Sequence, residues 1–300
     1  MEAEQQRVFV TGGTGFLGRS IVRQLQAAGY DCHVLSRRSQ DSLYGERYVV
    51  GDIRDEAMLQ EEMERLQPNV LVHLAWDASA ANYANCTDHM EWKSWSVALL
   101  RIFLACGGRT VAVSGTCYEY DTSVTHPHVE DEAVELSHIS LYGRAKRETC
   151  ATFTELCQAK EARLIWGRIF YAYGPGEIDR KVFSAAMRTF ASGETFLCRG
   201  PENRVDYIYV EDVARMFVTL IGNEAASGVF NIGTGQAVYL RDALTRMART
   251  MHAEGQLSFG DAPGQTIVAD MSRTRAFYSQ KTLPLVAGLE RLKASLAFPV

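Results

Sequence analysis

The chain has 300 residues, of which 47% are apolar, and a net charge of −5. This length and composition allow a large core, in one domain or in two closely packed lobes. Charges of both signs are interspersed, which argues against a basic footprint for nucleic acid or for an anionic membrane surface. Seven cysteines without a Cys-x-x-Cys pair favour reduced core thiols, and no His/Cys/Asp spacing resembles a metal site.

Membrane insertion and secretion are not indicated by the sequence. No apolar run approaches the about 20 residues that a membrane-spanning helix needs. Residues 1–6 lack the charged and apolar regions of a signal sequence. We therefore expect a cytoplasmic protein without a membrane partner.

The N-terminal segment predicts a strand, a tight turn and a helix. Residues 7–11 form a β-branched and aromatic run, Gly12, Gly15 and Gly18 follow, and an apolar periodicity starts at Ile21. Glycine lets the backbone turn sharply and approach a pyrophosphate, which amide groups at a helix N-terminus can bind. Alone, this glycine spacing also fits an ordinary tight turn. At the first strand of a βαβ unit it predicts a dinucleotide site.

Strands and helices alternate through the first half of the chain. The predicted strands after the first cover residues 31–36, 48–51, 70–74, 110–115 and 162–168, and the predicted helices cover 57–66, 91–106 and 141–159. Strands that are apolar on both faces and separated by helices indicate a parallel sheet covered on both sides, with right-handed crossovers. The predicted fold is α/β, a Rossmann-type doubly wound parallel sheet.

The segments become shorter after the Tyr-Gly-Pro-Gly run at residues 173–176. They predict helices over 181–191, 212–221, 240–251 and 285–295 and strands over 205–210 and 229–232. We expect a smaller C-terminal substrate-binding lobe at the carboxyl edge of the sheet, where ligands of open α/β sheets bind. The predicted domains are a dinucleotide-binding domain over 1–172, which also receives part of 205–235, and a substrate-binding lobe over 173–300.

Tyr142 and Lys146 lie four residues apart and therefore on one face of a predicted helix. A free phenol has a pKa near ~10, and an adjacent cation lowers it, so the pair can act as a proton donor. A surface lysine beside a half-buried tyrosine is the ordinary alternative. The run Ser114-Gly-Thr116 stands at the end of the fifth predicted strand, and a hydroxyl there can hold a carbonyl oxygen at the same sheet edge. The hydroxyl, the phenol and the ammonium together favour a catalytic site.

The chain resembles an extended short-chain dehydrogenase/reductase of the nucleotide-sugar epimerase/dehydratase/reductase branch. The motifs that carry this resemblance span nearly the whole chain: residues 11–18, 51–53, 72–75, 114–120, 142–146, 173–176, 204–212 and 230–235. The resemblance implies that Thr116, Tyr142 and Lys146 are catalytic and that Asp52 contacts the adenine. It further implies that Arg204 binds the diphosphate of a nucleotide sugar, as suits a guanidinium.

The end of the second predicted strand favours NADP(H) over NAD(H). NAD-binding sites place a carboxylate there for the ribose hydroxyls, whereas the 2′-phosphate of NADP repels a carboxylate and favours arginine. Here Ser36 stands at that place, and Arg37 and Arg38 follow it. Two solvated surface arginines are the alternative interpretation. The predicted cofactor-binding residues are Gly12, Thr14, Gly15, Phe16, Leu17, Gly18, Ser36, Arg37, Arg38, Asp52, Ile53, Leu74, Ala75, Tyr142 and Lys146.

If the cofactor is NADPH, the resemblance implies a net reduction of a keto group. It also implies that this keto group is at C4 of a nucleotide-activated 4-keto-6-deoxyhexose. Dehydratases of this branch carry Asp-Glu after the catalytic threonine, whereas this chain has Cys117 and Tyr118. An epimerase with retained NAD⁺ is the runner-up, with Cys117 as a candidate acid. An NADPH-sensing binding module and a reductase of a non-nucleotide ketone or acyl-CoA remain as further alternatives.

The expected partners are a nucleotide-diphosphate keto-sugar and a second copy of the chain. The predicted substrate-binding residues are Trp76, Thr116, Cys117, Tyr118, Tyr171 and Arg204. Plain packing is the alternative role for the aromatic members of this set. In the family that the chain resembles, the helices predicted over 91–106 and 141–159 pair across a two-fold axis, which implies a homodimer, although burial within one subunit gives a similar periodicity.

Overall fold

The structure, a computed structural model, describes residues 6–77 and 83–296. Residues 1–5 and 297–300, the outer ends of the two predicted domains, lie outside the described residues. They include most of the segment on which the signal-sequence inference rests. Residues 78–82 also lie outside them.

The described residues form thirteen strands and nine α-helices. The strands are β1 (Arg7–Thr11), β2 (Asp31–Ser36), β3 (Arg47–Val50), β4 (Val70–His73), β5 (Thr110–Thr116), β6 (Arg163–Ile169), β7 (Tyr171–Tyr173), β8 (Phe196–Cys198), β9 (Arg204–Tyr209), β10 (Gly228–Ile232), β11 (Ala237–Tyr239), β12 (Leu257–Phe259) and β13 (Thr266–Ile267). The helices are α1 (Phe16–Ala27), α2 (Glu56–Leu66), α3 (His89–Ala105), α4 (Leu141–Ala159), α5 (Val182–Ala191), α6 (Val210–Gly222), α7 (Leu240–Thr250), α8 (Ser272–Arg275) and α9 (Leu285–Ser295).

Seven parallel strands form the main sheet, in the order β10-β6-β5-β4-β1-β2-β3. The chain runs outward from β1 through β2 to β3, then crosses back to β4 on the other side of β1. The last residue of β1, Thr11, pairs with Leu35 of β2 and with His73 of β4. The topological switch point therefore lies between β1 and β4, and a crevice for a ligand is expected at their carboxyl ends.

Helices cover both faces of this sheet, as the apolar strands require. One face is buried under α1 and α6, in a core that contains Val10, Leu25 and Phe217. The other face is buried under α2, α3 and α4, in a core that contains Phe103 and Trp166. The doubly wound arrangement that the sequence predicts is confirmed.

The second half of the chain contributes to both parts of the molecule. α6 and β10 return to the main sheet, whereas β7, β9, β11 and β13 form a separate four-stranded sheet. A third apolar core, which includes Tyr173, Phe183 and Leu244, lies between this small sheet and helices α5, α7 and α9. The segments before and after β10 thus build a lobe at the carboxyl side of β6 and β10.

The predicted helices and longer strands agree with the structure to within about two residues, as is usual for element ends. The strand over 31–36 and the helices over 141–159 and 285–295 have the predicted bounds. The sequence interpretation missed β7, β8, β11, β12 and β13, each of which has only two or three residues. Among the described residues, no helix is long and apolar enough to cross a membrane, and no three His, Cys, Asp or Glu side chains are grouped as metal ligands.

Candidate active site

A cavity of about 1040 Å³ opens at the switch point, at the carboxyl ends of β1, β2 and β4. Among the residues predicted to bind the cofactor, those that line it are Gly12, Thr14, Ser36, Arg37, Arg38, Asp52, Ile53 and Ala75. The other predicted cofactor residues do not line the cavity: Gly15, Phe16, Leu17, Gly18 and Leu74 belong to the adjoining turns and the start of α1, and Tyr142 and Lys146 belong to α4. The cavity is large enough for a dinucleotide, whose typical sites are concave and largely preformed.

The loop between β1 and α1 needs its glycines because of close backbone approaches. Gly12 has φ +71°, and a Cβ there would lie 2.6 Å from the backbone nitrogen of Ala75. A Cβ on Gly18 would lie 2.1 Å from the carbonyl oxygen of Gly12. α1 begins after Gly15 without a side-chain cap, so amide groups of its first turn have no side-chain acceptor. This cradle fits the pyrophosphate of a dinucleotide.

The turn after β2 presents guanidinium groups at one end of the cavity. The hydroxyl of Ser36 donates to the carbonyl oxygen of Arg38 at 2.8 Å and accepts a hydrogen bond from Gln40 Nε2 at 3.0 Å. Arg37 and Arg38 are exposed, and all four residues line the cavity. No carboxylate stands at the end of β2 in this turn, so the donors suit an anionic group such as a 2′-phosphate.

Asp52 lies beside this end of the cavity and is paired with a third arginine. Arg54 Nε and Nη2 donate to the two carboxylate oxygens of Asp52, each at 2.8 Å. These hydrogen bonds hold the pKa of Asp52 below its ordinary value. The Arg54 guanidinium also lies 5.9 Å from the centroid of the Trp95 ring, and both residues line the cavity. The sequence interpretation did not include Gln40 or Arg54.

The catalytic candidates meet at the carboxyl end of β5. Thr116 ends this strand, and the 3-10 turn Cys117–Glu119 follows it. Tyr142 lies in the first turn of α4 and shares a hydrogen bond with the side chain of Thr116. The hydroxyl of Thr116 also accepts a hydrogen bond from the backbone nitrogen of Tyr118 at 3.3 Å. The structure thus brings Thr116 and Tyr142 together.

Lys146 is buried one turn further along α4. Its Nζ donates to the carbonyl oxygen of Ser114 at 2.9 Å and lies 3.9 Å from the centroid of the Trp76 ring. Burial lowers the pKa of Lys146 to about 7, although the negative charge of Glu119 acts in the opposite direction. Trp76 lines the cavity, so Lys146 and the cavity are adjacent.

The pKa of Tyr142 departs from the sequence expectation. Lys146 was expected to lower it, but burial raises the pKa of Tyr142, and the charge of Glu119 raises it further. The hydrogen bond with Thr116 acts in the opposite direction. The reason is that desolvation disfavours the phenolate more than the nearby polar groups favour it. At neutral pH the phenol therefore keeps its proton, as a proton donor must.

Aromatic side chains surround the phenol of Tyr142. Trp76 makes an edge contact with it at 6.4 Å between centroids, and His89 lies 5.1 Å away in a tilted arrangement. The indole Nε1 of Trp76 donates to Nδ1 of His89 at 3.1 Å. Tyr118 contacts Tyr142 from another side, at 6.3 Å. The predicted substrate residues Trp76 and Tyr118 therefore lie against the catalytic candidate, and His89 is a neighbour that the sequence did not single out.

The remaining predicted substrate residues occupy different surroundings. The hydroxyls of Tyr118 and Tyr171 lie 3.3 Å apart, close to the catalytic candidates. Cys117 is buried, and burial raises its pKa to about 12, so the thiol stays protonated at neutral pH. Arg204 is exposed at the start of β9, with its guanidinium 5.1 Å from the centroid of Tyr239. It lines neither the cavity above nor a second cavity of about 660 Å³ between β11 and α9.

Residues 8–233 match the family described as the NAD-dependent epimerase/dehydratase family. The chain belongs to this family. The match covers most of the main sheet and the candidate active site, so the resemblance predicted from the motifs is confirmed. Members of this family are NAD-dependent enzymes, and the relatives described next have names that refer to nucleotide sugars.

Two relatives in sequence and one solved structure illustrate what the chain is similar to. ADP-L-glycero-D-manno-heptose-6-epimerase of Nitratidesulfovibrio vulgaris is 27% identical over 289 residues, 85% of this chain and 84% of the relative. A dTDP-4-dehydro-6-deoxyglucose reductase of Escherichia coli is 25% identical over 332 aligned positions, with 99% of both chains covered. UDP-N-acetylglucosamine 4-epimerase of Bacillus cereus has the same fold, with a TM-score of 0.83 at 19% identity and 97% and 99% of the chains covered.

The sequence of this chain gave little indication that two polar residues of the site, His73 and Glu119, are buried. His73 ends β4, and its ring bonds Thr11 Oγ1 at 2.7 Å and Ser96 Oγ at 2.9 Å. Burial lowers its pKa to about 3, so the ring stays neutral. Glu119 is fully buried next to Thr116. Both lie inside quoted motifs, but neither motif indicates that its polar member is buried.

Proposed function

We propose that this protein reduces the keto group of a nucleotide-activated 4-keto-6-deoxyhexose with NADPH, at C4 of the sugar. The observation that carries the proposal is the turn after β2, where Ser36, Arg37 and Arg38 line the cavity and no carboxylate stands. An arginine pair suits a 2′-phosphate, whereas the ribose hydroxyls of NAD call for a carboxylate acceptor. A cofactor that dissociates and is consumed is in keeping with net reduction.

The proposed chemistry uses three residues of the chain. NADPH, when bound, supplies a hydride to the carbonyl carbon of the sugar. Tyr142 donates its phenol proton to the carbonyl oxygen, which becomes the hydroxyl of the product. Thr116 orients the same oxygen by a hydrogen bond. Lys146, in its protonated form, stabilises the phenolate that remains on Tyr142.

The neighbourhood of Tyr142 supports reduction over proton transfer at a sugar carbon. Dehydration, or epimerisation by proton transfer at a carbon next to a keto group, needs further acid and base groups at the sugar, and the residues after Thr116 are Cys117, whose pKa is raised to about 12, and Tyr118. A thiol that stays protonated in this way is a poor base at neutral pH. We propose that Trp76, Tyr118 and Tyr171 form the wall of the sugar site, and that Arg204 contacts the diphosphate.

A coupled assay tests this function. Purified protein is mixed with NADPH or NADH and with a panel of nucleotide 4-keto-6-deoxysugars that carry different bases, and loss of the reduced-nicotinamide absorbance is followed. We expect oxidation of NADPH that depends on a keto-sugar, with one nucleotide preferred. Absence of oxidation across the panel, or an equal preference for NADH, contradicts the proposal.

The second candidate is a nucleotide-sugar epimerase with retained NAD⁺. It is favoured by the similarity to the heptose epimerase, which is as close as the similarity to the reductase. Such a protein would carry oxidised cofactor as isolated and would interconvert sugars without consuming NADPH. Mass analysis of nucleotides released from the purified protein separates the two candidates.

We propose a homodimer through α3 and α4. These helices pack against each other within the subunit, and Lys93 of α3 pairs with Glu148 of α4 at 2.6 Å. If each of two subunits contributes its α3 and α4, the four helices form an interface across a two-fold axis, which is the commonest symmetry of homodimers. Light scattering that gives the mass of one chain, 33.4 kDa, would contradict it.

A further inference from the structure

The turn after β5 contains a carboxylate that has no contact with solvent. Glu119 is 0% exposed. Its Oε1 accepts a hydrogen bond from the backbone nitrogen of Thr116 at 2.9 Å, and its Oε2 accepts one from Arg168 Nε at 2.7 Å. Trp166 Nε1 donates to the two oxygens at 3.0 and 3.2 Å. The partners come from both β5 and β6, so the carboxylate is held in one position.

The guanidinium opposite Glu119 is held as firmly. Arg168 is 4% exposed, donates from Nη1 to the carbonyl oxygen of Glu130 at 2.9 Å and lies 4.5 Å from the centroid of Tyr120. A buried ion pair offsets its desolvation only when such additional contacts satisfy it. A Cβ on Gly115 would lie 2.2 Å from Trp166 Nε1, so this glycine makes room for the cluster.

The same turn carries one catalytic candidate and supports the helix of the other. Thr116 and Glu119 form a reciprocal capping box around the turn Cys117–Glu119. On the side of α4, a Cβ on Gly143 would lie 2.0 Å from the carbonyl oxygen of Tyr118. Arg147 Nη1 donates to the carbonyl oxygen of Glu119 at 3.1 Å. The first turn of α4, which bears Tyr142, is therefore packed directly against the turn that Glu119 closes.

We propose that Glu119 is a positioning residue for this active site. Its carboxylate, held by Arg168, fixes the position of Thr116 and of the turn against which the first turn of α4 packs. Thr116 and Tyr142 are thereby kept in the geometry that proton transfer requires. The inference rests on the proposed function for its kinetic consequence. Displacements of about 1 Å in a reacting group can cost on the order of 100-fold in rate, so a residue that never touches substrate can control turnover.

Glu119 also has an electrostatic effect that a purely structural residue would lack. Its charge raises the pKa of both Tyr142 and Lys146. The other titratable groups whose charges interact with Lys146 or Glu119 include His73, Cys117, Tyr120, Tyr142, Arg147, Cys150 and Arg168. The charge of Glu119 favours the ammonium form of Lys146, so its neutralisation lowers the pH at which Lys146 loses its proton.

The test compares Glu119→Gln, Glu119→Asp and Asp212→Asn. Asp212 is an equally buried carboxylate, paired with Arg215 on α6, and controls for the loss of a buried charge outside the active site. Three quantities are measured in the full chain. The keto-sugar assay gives kcat and the KM for NADPH, and ¹⁵N-lysine NMR gives the titration midpoint of Lys146, whose signal is assigned by its loss in Lys146→Met. Circular dichroism establishes that each variant is folded.

For Glu119→Gln we expect kcat to fall about 100-fold with little change in the KM for NADPH, and the Lys146 midpoint to move to lower pH. Glu119→Asp keeps the charge, so its Lys146 midpoint stays near wild type while kcat falls because the shorter side chain misses Thr116. Asp212→Asn should keep kcat and the midpoint within about twofold of wild type.

The outcomes separate the two proposals. If wild type oxidises no NADPH with any keto-sugar, the proposed function fails. The role of Glu119 is then tested only by comparing the Lys146 titration midpoint of Glu119→Gln with that of wild type, and an unchanged midpoint overturns it. If wild type is active but Glu119→Gln keeps wild-type kcat or an unchanged Lys146 midpoint, the positioning role is overturned and the proposed function stands. Should Glu119→Gln not fold, Glu119→Asp with normal kcat overturns the positioning role as well.

Discussion

The candidate active site has two regions, the cavity end beside β2 and β3 and the buried cluster after β5, and they are built in opposite ways. At the β2–β3 end, Arg37, Arg38 and Arg54 are exposed, and the hydrogen bonds there join residues close in sequence, Ser36 to the backbone of Arg38 and Arg54 to Asp52. At the β5 end, Glu119 and Lys146 are buried and are held by contacts between distant segments. The exposed end suits recognition of a charged group that arrives from water. The buried end suits a reaction whose protons must be protected from water.

This contrast predicts that the buried end controls rate and the exposed end controls which cofactor is used. Tyr142→Phe removes the proposed proton donor and should lower kcat by roughly 10²–10⁴-fold, since that is the usual contribution of general acid catalysis. The dissociation constant of NADPH, measured by fluorescence, should stay near wild type. Tyr278→Phe, at a buried tyrosine that contacts Arg215, is the control and should keep normal turnover. Near-normal turnover in Tyr142→Phe would reject the phenol as the donor.

Ser36→Asp places a carboxylate where a 2′-phosphate is proposed to lie. We expect the ratio of kcat/KM for NADPH to that for NADH to fall about 10- to 100-fold, because a charge-assisted contact is replaced by repulsion. Ser39→Asp adds the same charge to the same loop at an exposed residue outside the cavity lining, and should change the ratio less. An unchanged ratio in Ser36→Asp would count against NADP recognition at this turn.

Arg204→Ala tests a proposed contact that lies away from both the β2–β3 end and the β5 end of the candidate site. If Arg204 contacts the diphosphate, the KM for the nucleotide sugar should rise about 10-fold, as expected for the loss of one charged hydrogen bond, while the KM for NADPH stays constant. Arg188→Ala, at an exposed arginine of α5 that pairs with Asp179 at 2.8 Å, is the matched control. Equal effects of the two substitutions would remove Arg204 from the site.

The pH dependence of cofactor binding gives the smallest expected effect. The pKa of Lys146 is lowered to about 7, so its ammonium is present below pH 7 and is lost as the pH rises through 7. Because an anionic cofactor favours the charged ammonium, the affinity for NADPH should fall roughly fivefold between pH 7 and pH 9. Lys160→Met, at the exposed end of α4, should keep this slope, and Lys146→Met should abolish it. A slope that survives in Lys146→Met assigns the titration to another group.

Most of the fold follows from the sequence because local patterns determine it. The glycines at 12, 15 and 18, the apolar strands and the amphipathic helices are each readable within a short window. The five missed strands have two or three residues and pair only through tertiary contacts, as β9 does with β7, β11 and β13. Such pairing leaves no periodic signal that a window of sequence could contain.

The site could be predicted only in part, for a similar reason. Tyr142 and Lys146 share a helix, so their spacing reveals them. The role of Glu119 depends on Arg168, and the contact of Trp76 with Lys146 joins residues from different elements. The pKa of Tyr142 was expected to fall beside Lys146, but burial, which sequence spacing does not report, raises it.

Isotope transfer tests the central claim most directly. NADPH that carries two deuterium atoms at C4 of its nicotinamide ring is incubated with the protein and with the nucleotide 4-keto-6-deoxysugar that the assay panel selects. The mass of the sugar product is then measured by mass spectrometry. We expect an alcohol one mass unit heavier than the product made with unlabelled NADPH, formed in step with NADPH oxidation. A product without the label, or an epimer formed while NADPH stays constant, would contradict the account.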